Sequence, residues 1–247
     1  MTADLTVIVP TAGGADQHGQ YVDRCLASVR AAAPDAEILV VVNERDRELG
    51  RRLRDAYGAK MGVTTGPFNY SLALNAGAAK AGREKLLFLN DDVEAHPGYP
   101  YWLDCLLLDL DAPEVGIVGA TLLHEDGTVQ HAGMGITDRG VPHHFHYGER
   151  GYQPTGRHVE ALTGACLVTT RTVHDAVGGF DERFALCFSD TDYCLKVRAA
   201  GLEVWLSEAV LVHHVWGTRG GPQTGMADSR LWYQRWWDLH ATRQTAH

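Results

Sequence analysis

Short apolar runs alternate with helical-period segments along the first half of this chain, and the runs stop at residues suited to strand ends. Leu5 to Val9 is stopped by Pro10, Ala36 to Val42 runs into Asn43, and Lys85 to Leu89 is followed by Asn90-Asp91-Asp92. Between them Val22, Cys25, Leu26 and Val29 recur at helical spacing, and Arg45 to Tyr57 reads as a charged surface helix. Ser71 is a candidate cap for a small-residue helix, Leu72 to Ala81, ended by Gly82. Met61 to Val63 is a short third strand, Trp102 to Leu110 another helix and Val115 to Ala120 another strand. This rhythm predicts an α/β fold, a mostly parallel sheet with helices on both faces.

The texture changes after about residue 121. Asp126-Gly127 between Leu122-Leu123 and Val129 signals a hairpin turn. Arg139 to His158, rich in Gly, His and Pro, reads as a long loop of the kind that is usually functional or disordered. Ala165 to Thr170 is strand-like, Thr191 to Ala200 is helical and capped by Gly201, and Glu203 to Leu206 and Val210 to His214 are short strands. Gly217 to Gly225 reads as a flexible connector, and Ser229 to Leu239 as an aromatic-rich final helix. With no repeat and no linker, the expected organisation is one domain over 1–225. Its nucleotide half covers about 1–120 and its acceptor half 121–225, with a C-terminal helix and tail over 226–247.

Composition narrows the class. A 45% hydrophobic content fits a globular protein. The longest apolar stretch, Trp102 to Leu110, is broken by Asp104 and Asp109, so no membrane span is expected. A strand-like run already begins at Leu5, so no signal peptide is expected. The five cysteines are scattered with no CxxC pair, which argues against a zinc ribbon or disulfide framework and for a reduced, cytoplasmic setting. A net charge of −9 speaks against a general nucleic-acid binder.

Three polar groups carry the chemistry. Asn90-Asp91-Asp92 would lie at the carboxyl end of a strand, where α/β sheets bind ligands. Carboxylates there suit Mg²⁺ or Mn²⁺ bridging a phosphate, or simply form a solvated acidic turn. Asp190 and Asp192 open a helical pattern; one can enter a site as a general base while the other satisfies backbone or a basic neighbour. Both could instead be helix N-terminal acids. Asp190 is the candidate base. His213-His214 ends an apolar run, where one imidazole would face the site as a metal ligand or serve a structural role. His143, His144 and His146 in the long loop are a weaker second metal candidate, and His124 and His131 beside the hairpin carry no signal of their own.

Taken in order, these pieces resemble bacterial family 2 glycosyltransferases of the GT-A fold, a Rossmann-like sheet, of the rhamnosyltransferase or O-antigen type. Pro67-Phe68-Asn69-Tyr70-Ser71 with Asn75 and Gly77 is similar to their PFNFS…N-x-G segment, and Phe88 to Asp92 to their form of the DxD motif. Asp126 to Gly133 resembles their DGTIQHAG hairpin. Gly164 to Val168, Val177 to Glu182 and Phe188 to Leu195 resemble the GACLLV, VGGFDE and F-x-D-x-D-x-C-L runs that follow. The resemblance spans roughly residues 5 to 220. It implies inverting transfer from a UDP- or dTDP-linked sugar to a glycan, lipid-linked or small-molecule acceptor. Asp92 and His214 would hold the metal, and Asp190 would be the general base. Asp91, Asn90, Pro10, Thr11, Asn43 and Asn75 would bind the nucleotide-sugar. The enzyme would be cytoplasmic, or peripheral at the inner face of the membrane.

The departures are specific. The second strand ends Val41-Val42-Asn43-Glu44-Arg45 rather than Val-Asp-Asn-Gly-Ser, so Val42 replaces the acid that commonly reads the base. Ser189 stands where relatives place Asn or Glu. Trp232, Tyr233, Trp236 and Trp237 would pack against the sheet, form a homodimer face, or serve as an acceptor platform. Tyr233-Gln234-Arg235-Trp236 is not the QxxRW of processive synthases. Two other readings compete with the transferase. A sugar nucleotidyltransferase would want a basic phosphate loop, which Thr11 to Gly19 does not supply; a non-catalytic nucleotide-sugar or glycan-binding module would have no need of both Asp92 and Asp190.

Overall fold

A computed structural model describes residues 2–11, 19–215 and 222–245. Most of the segment Thr11 to Gly19, read as lacking a phosphate loop, and most of the expected connector before Gly225 lie outside the described residues. In chain order the elements are β1 (Leu5–Thr11), α1 (Gly19–Ala32), β2 (Glu37–Asn43), α2 (Arg47–Tyr57), β3 (Lys60–Thr64), α3 (Tyr70–Lys80), β4 (Lys85–Leu89), β5 (Val93–Ala95) and α4 (Trp102–Leu110). The second half adds β6 (Val115–Leu123), β7 (Val129–His131), β8 (Met134–Ile136), β9 (Pro142–His144), β10 (Arg157–His158), β11 (Cys166–Thr170), α5 (Arg171–Ala176), α6 (Ser189–Ala199), β12 (Glu203–His213) and α7 (Pro222–Thr245).

The main sheet runs β10-β12-β6-β11-β4-β1-β2-β3, with β5 beside β12 and β7 beside β6. Strands β3, β2, β1 and β4 are mutually parallel, β6 and β12 are parallel, and β11 lies antiparallel between β4 and β6. The carboxyl ends of β1, β4 and β12 therefore meet the amino end of β11 along one edge. That edge is where crevices form in such sheets.

Side-chain alternation explains the two-sided core. Leu5, Val7 and Val9 pack with Val22, Leu26 and Val29 of α1 and with Leu103 and Leu106 of α4. Ile8, Leu39 and Val41 face the other way, onto Ala73, Leu74 and Ala78 of α3 and the α6 side chains Tyr193 and Val197. Gly77 lets α3 approach the sheet, since a Cβ there would stand 2.3 Å from Ile8 Cγ2.

Several boundaries differ from the sequence reading. Asn69, not Ser71, caps α3, its Oδ1 accepting the Leu72 N–H at 2.9 Å; Ser71 Oγ instead donates to the Phe184 carbonyl at 2.7 Å. The two short strands after Gly201 are one strand, β12, with a register irregularity between Leu206 and Val210. The long loop contains β9, which closes a hairpin on β8. The final helix starts at Pro222 and kinks at Trp236 (φ −109°, ψ 18°). No helix among the described residues is long and apolar enough to cross a membrane.

Candidate active site

A cavity of about 370 Å³ opens at that sheet edge. Pro10 and the Asn90-Asp91-Asp92 turn form its sheet side, with Thr163 and Gly164 ahead of β11. Gln130, Met134, Pro142 and His144 close it from the hairpins, His213 from β12, and Leu186 to Thr191 from the start of α6. The adjacent pair Asp91 and Asp92 and the distant Asp190 line this one cavity together.

Asp190 is held by backbone. Its Oδ2 accepts the Gly164 N–H at 2.8 Å and its Oδ1 the Thr191 N–H at 2.7 Å. These bonds fix the rotation of the carboxylate at the first turn of α6. Phe188, just before the helix, has φ +63°, a strained backbone for a side chain with a Cβ, and stacks on Trp232 at 5.3 Å between ring centroids. Asp192 turns away from the cavity, as its neighbour's opposite: it is fully buried and paired with Arg235 Nε of α7 at 2.7 Å. Burial pushes its carboxyl above the ordinary range, with Arg235 and Lys196 pulling it back.

The loop before α6 is fastened by a residue the sequence did not single out. Asp228 of α7 is buried and accepts the N–H groups of Ala185, Leu186 and Cys187 at 3.2, 3.0 and 2.8 Å. Trp232, also buried, donates its Nε1–H to the Gly140 carbonyl at 2.8 Å, and Trp236 Nε1–H donates to Asp192 Oδ1 at 3.0 Å. Trp232 and Trp236 are thus spent inside the chain. Neither lines the cavity, so they form no acceptor platform there. The side chain of Trp237 lies outside the described residues.

The imidazole that meets Asp92 is His213, not His214. His213 Nε2 lies 3.1 Å from Asp92 Oδ1, and its Nδ1 bonds the Gln130 amide oxygen. The His214 ring instead stacks on Tyr21 at 4.7 Å and lies between Glu94 and Glu125. Pairing of β12 with β5 sets Val93 opposite His213, and the chain direction there carries the next side chain away from the cavity wall. With Nδ1 donating to Gln130 Oε1, Nε2 of the neutral ring would present a lone pair to the carboxylate oxygen. Two acceptors that close repel unless a cation, a proton or a divalent ion, lies between them. About 3 Å is also the separation of adjacent ligands on one ion with bonds of about 2.1 Å. The Gln130 contact is the outer support that metal-binding imidazoles ordinarily have. Among the described residues no three His, Cys, Asp or Glu side chains gather into a metal cage. Mg²⁺-type ions need none when phosphate and water complete the shell.

The other expected residues divide. Asn90 Oδ1 sits 2.9 Å from the Tyr70 hydroxyl, which also lies 2.7 Å from the Gly164 carbonyl; burial, then Asp190, pushes that hydroxyl well above its usual range. Thr11 is buried at its strand end and is not part of the cavity wall. Asn43 is buried too, bonding the Gly66 carbonyl and the Arg45 N–H. Asn75 bonds both the N–H and the carbonyl of Phe180, tying α3 to the segment before α6. Neither asparagine lines the cavity; both amides bond backbone, and Asn75 also donates to Glu182 Oε1 at 3.0 Å. The three loop histidines do not converge: His143 packs edge-on against Phe145, His146 pairs with Glu149, and His144 meets His131.

An α/β sheet of this order, with an acidic strand-end turn and a second carboxylate on one cavity, is that of the GT-A fold. A mannosyltransferase from Pyrobaculum calidifontis, solved with GDP-Man and Mn²⁺, superposes with a TM-score of 0.61 at 17% identity, over 88% of this chain and 58% of that one. The family model described as Glycosyl transferase family 2 matches residues 6–178, and the chain belongs to that family. It is 36% identical over 244 residues to the O-antigen biosynthesis protein RfbC of Myxococcus xanthus, covering 94% of this chain but only 19% of that protein. It is 26% identical to an N-acetylglucosaminyl-diphospho-decaprenol L-rhamnosyltransferase of Mycobacterium tuberculosis, over 85% of this chain and 77% of the relative.

Proposed function

We propose that this chain transfers a sugar from a nucleoside diphosphate sugar to an acceptor hydroxyl, with inversion at the anomeric carbon and with a divalent ion. The observation that carries this reading is the placement of Asp91-Asp92 and Asp190 on one cavity from different elements. Asp190 takes the proton of the acceptor hydroxyl as its oxygen attacks the anomeric carbon. The new O–C bond forms as the C–O bond to the diphosphate breaks, and the diphosphate leaves with the electron pair. A single displacement of this kind inverts the centre, and a positioned base contributes about 10²–10⁴-fold.

Asp92 and His213 would hold Mn²⁺ or Mg²⁺, which when bound stabilises charge on the leaving diphosphate. Asn90, Asp91 and Pro10 line the same wall and would contact the donor. Thr11, Asn43 and Asn75 support that wall through the strand ends and α3. The relatives' names favour a cell-surface polysaccharide pathway, and a rhamnosyl or other hexosyl donor linked to UDP, dTDP or GDP. The protein would then work in the cytoplasm or at the inner face of the membrane.

The test is a donor screen. The pure protein is mixed with Mn²⁺ and UDP-, dTDP- or GDP-sugars, and melting temperature and release of free nucleoside diphosphate are followed. Binding raises the melting temperature by mass action. Metal-dependent stabilisation by one nucleotide class, with release lost in Asp92→Ala, is expected. No response to any donor with or without metal would leave a binding module as the better reading.

A further inference from the structure

His131 and His144 form a hydrogen-bonded pair whose proton positions can be read from their neighbours. His131 is buried, and its Nε2 accepts the Gly133 N–H at 3.2 Å and faces the Thr163 N–H at 3.4 Å. An N–H can donate only to a ring nitrogen without a proton, so Nδ1 of the neutral ring carries the hydrogen. Burial keeps that ring neutral, pushing its pKa well below the ordinary value, and His144 and His213 push the same way. Nδ1 lies 3.0 Å from Nδ1 of His144. His144 therefore accepts at Nδ1 and carries its own proton on Nε2. A charged His144 would set two N–H groups against each other, and burial lowers its pKa too, against the pull of Asp190. The hairpin strand β7 thus sets two rings through consecutive residues. Gln130 orients His213 beside Asp92, and His131 makes His144 a hydrogen-bond donor.

His144 lines the same cavity as Asp190, with Phe188 and Phe68 as flat apolar walls beside them. We propose that His144 is the hydrogen-bond donor that seats the acceptor, and that the acceptor presents a hydroxylated sugar ring, one oxygen on His144 Nε2–H and a neighbouring hydroxyl on Asp190. The proposal rests on the transferase reading above. A carboxylate that accepts and an imidazole that can only donate distinguish two adjacent hydroxyls, which a cavity with two carboxylates could not do. An aromatic wall suits the apolar face of a sugar ring.

The experiment uses the whole chain with Mn²⁺ and the nucleotide-sugar chosen by the donor screen. Methyl glycosides of rhamnose, mannose and N-acetylglucosamine serve as acceptor probes. Products of transfer to glycoside and to water are measured in one reaction, so the ratio is independent of how much enzyme is folded. With wild type, at least one glycoside takes the sugar. In His144→Phe the partition shifts toward water by about 10- to 100-fold, the effect of losing one buried hydrogen-bond donor, and His144→Gln, which keeps a donor, recovers part of it. Nitrogen-15 NMR of histidine-labelled protein shows His144 as the Nε2–H tautomer with no ligand added. An unchanged partition in His144→Phe, an Nδ1–H tautomer, or a wild type that hydrolyses donor yet uses no glycoside would each overturn the proposal. A wild type that neither binds nor cleaves any donor would overturn the transferase reading itself.

Discussion

Arg235 Nε of the last helix lies 2.7 Å from Oδ1 of Asp192, on the helix whose first turn carries Asp190. Asp192 has no exposed surface, while 28% of the Arg235 side chain is in contact with solvent. The pair welds α7 to α6, and Asp228 and Trp232 on the same helix hold the loop before α6 and the hairpin at Gly140. The C-terminal helix is part of the frame that holds the start of α6 and the loop before it.

Arg235→Met takes the nearest cation from the buried Asp192 carboxylate and leaves it the Trp236 N–H and Lys196 at 4.0 Å. It should destabilise the fold by about 3 kcal/mol, the low end for breaking a buried pair because Arg235 is partly exposed. Urea unfolding measures it, and adding Asp192→Asn should restore much of the loss. A wild-type midpoint in Arg235→Met would mean the pair contributes nothing.

Stability should fall in mild acid. Burial depresses the His174 imidazole to about 4, and His131 also lies well below its ordinary value. A base with a lowered folded pKa binds its proton more readily in the unfolded chain. Its contribution is therefore complete above the unfolded value near 6.5 and is lost as pH drops toward 4. For His174 that amounts to about 3 kcal/mol. Unfolding free energies at pH 7 and pH 5 measure it, and His174→Phe should flatten the slope.

Metal affinity should follow the geometry of the two strand-end histidines. With nucleoside diphosphate present, Mn²⁺ binding followed by electron paramagnetic resonance should weaken most in Asp92→Ala and His213→Ala. Gln130→Met removes the outer support and should cost about 10- to 100-fold. His214→Ala should weaken binding least of the four. The reverse ranking of the two histidines would return the ligand role to His214.

Asp190→Asn keeps the shape of the carboxylate but cannot take a proton. Transfer should fall by about 10²–10⁴-fold, while donor-induced thermal stabilisation persists. Equal loss of donor binding would show that Asp190 serves the nucleotide-sugar instead of the acceptor.

Much of the fold was legible because its signals are local. Apolar runs such as Leu5 to Val9 and Lys85 to Leu89 need burial on both faces, and the helical spacing of Val22, Cys25, Leu26 and Val29 needs one. The strand-end turn Asn90-Asp91-Asp92 could be placed for the same reason. The caps were less legible: Asn69 and Ser71 are both good capping types, and only the packing of α3 decided between them.

By itself the sequence determined the sheet, the acidic turn at the end of β4 and the pair of carboxylates, Asp190 and Asp192, at a helix start. Tertiary structure alone decided which neighbours those groups meet. His213 and His214 are identical in type and adjacent, and the pairing of β12 with β5 and the reach of Gln130 chose the one that faces Asp92. Likewise His131, without a signal of its own in sequence, gained its meaning from His144 across the hairpin. Periodicity is a property of a few consecutive residues, whereas the direction and proton state of a side chain depend on atoms that folding brings from elsewhere in the chain.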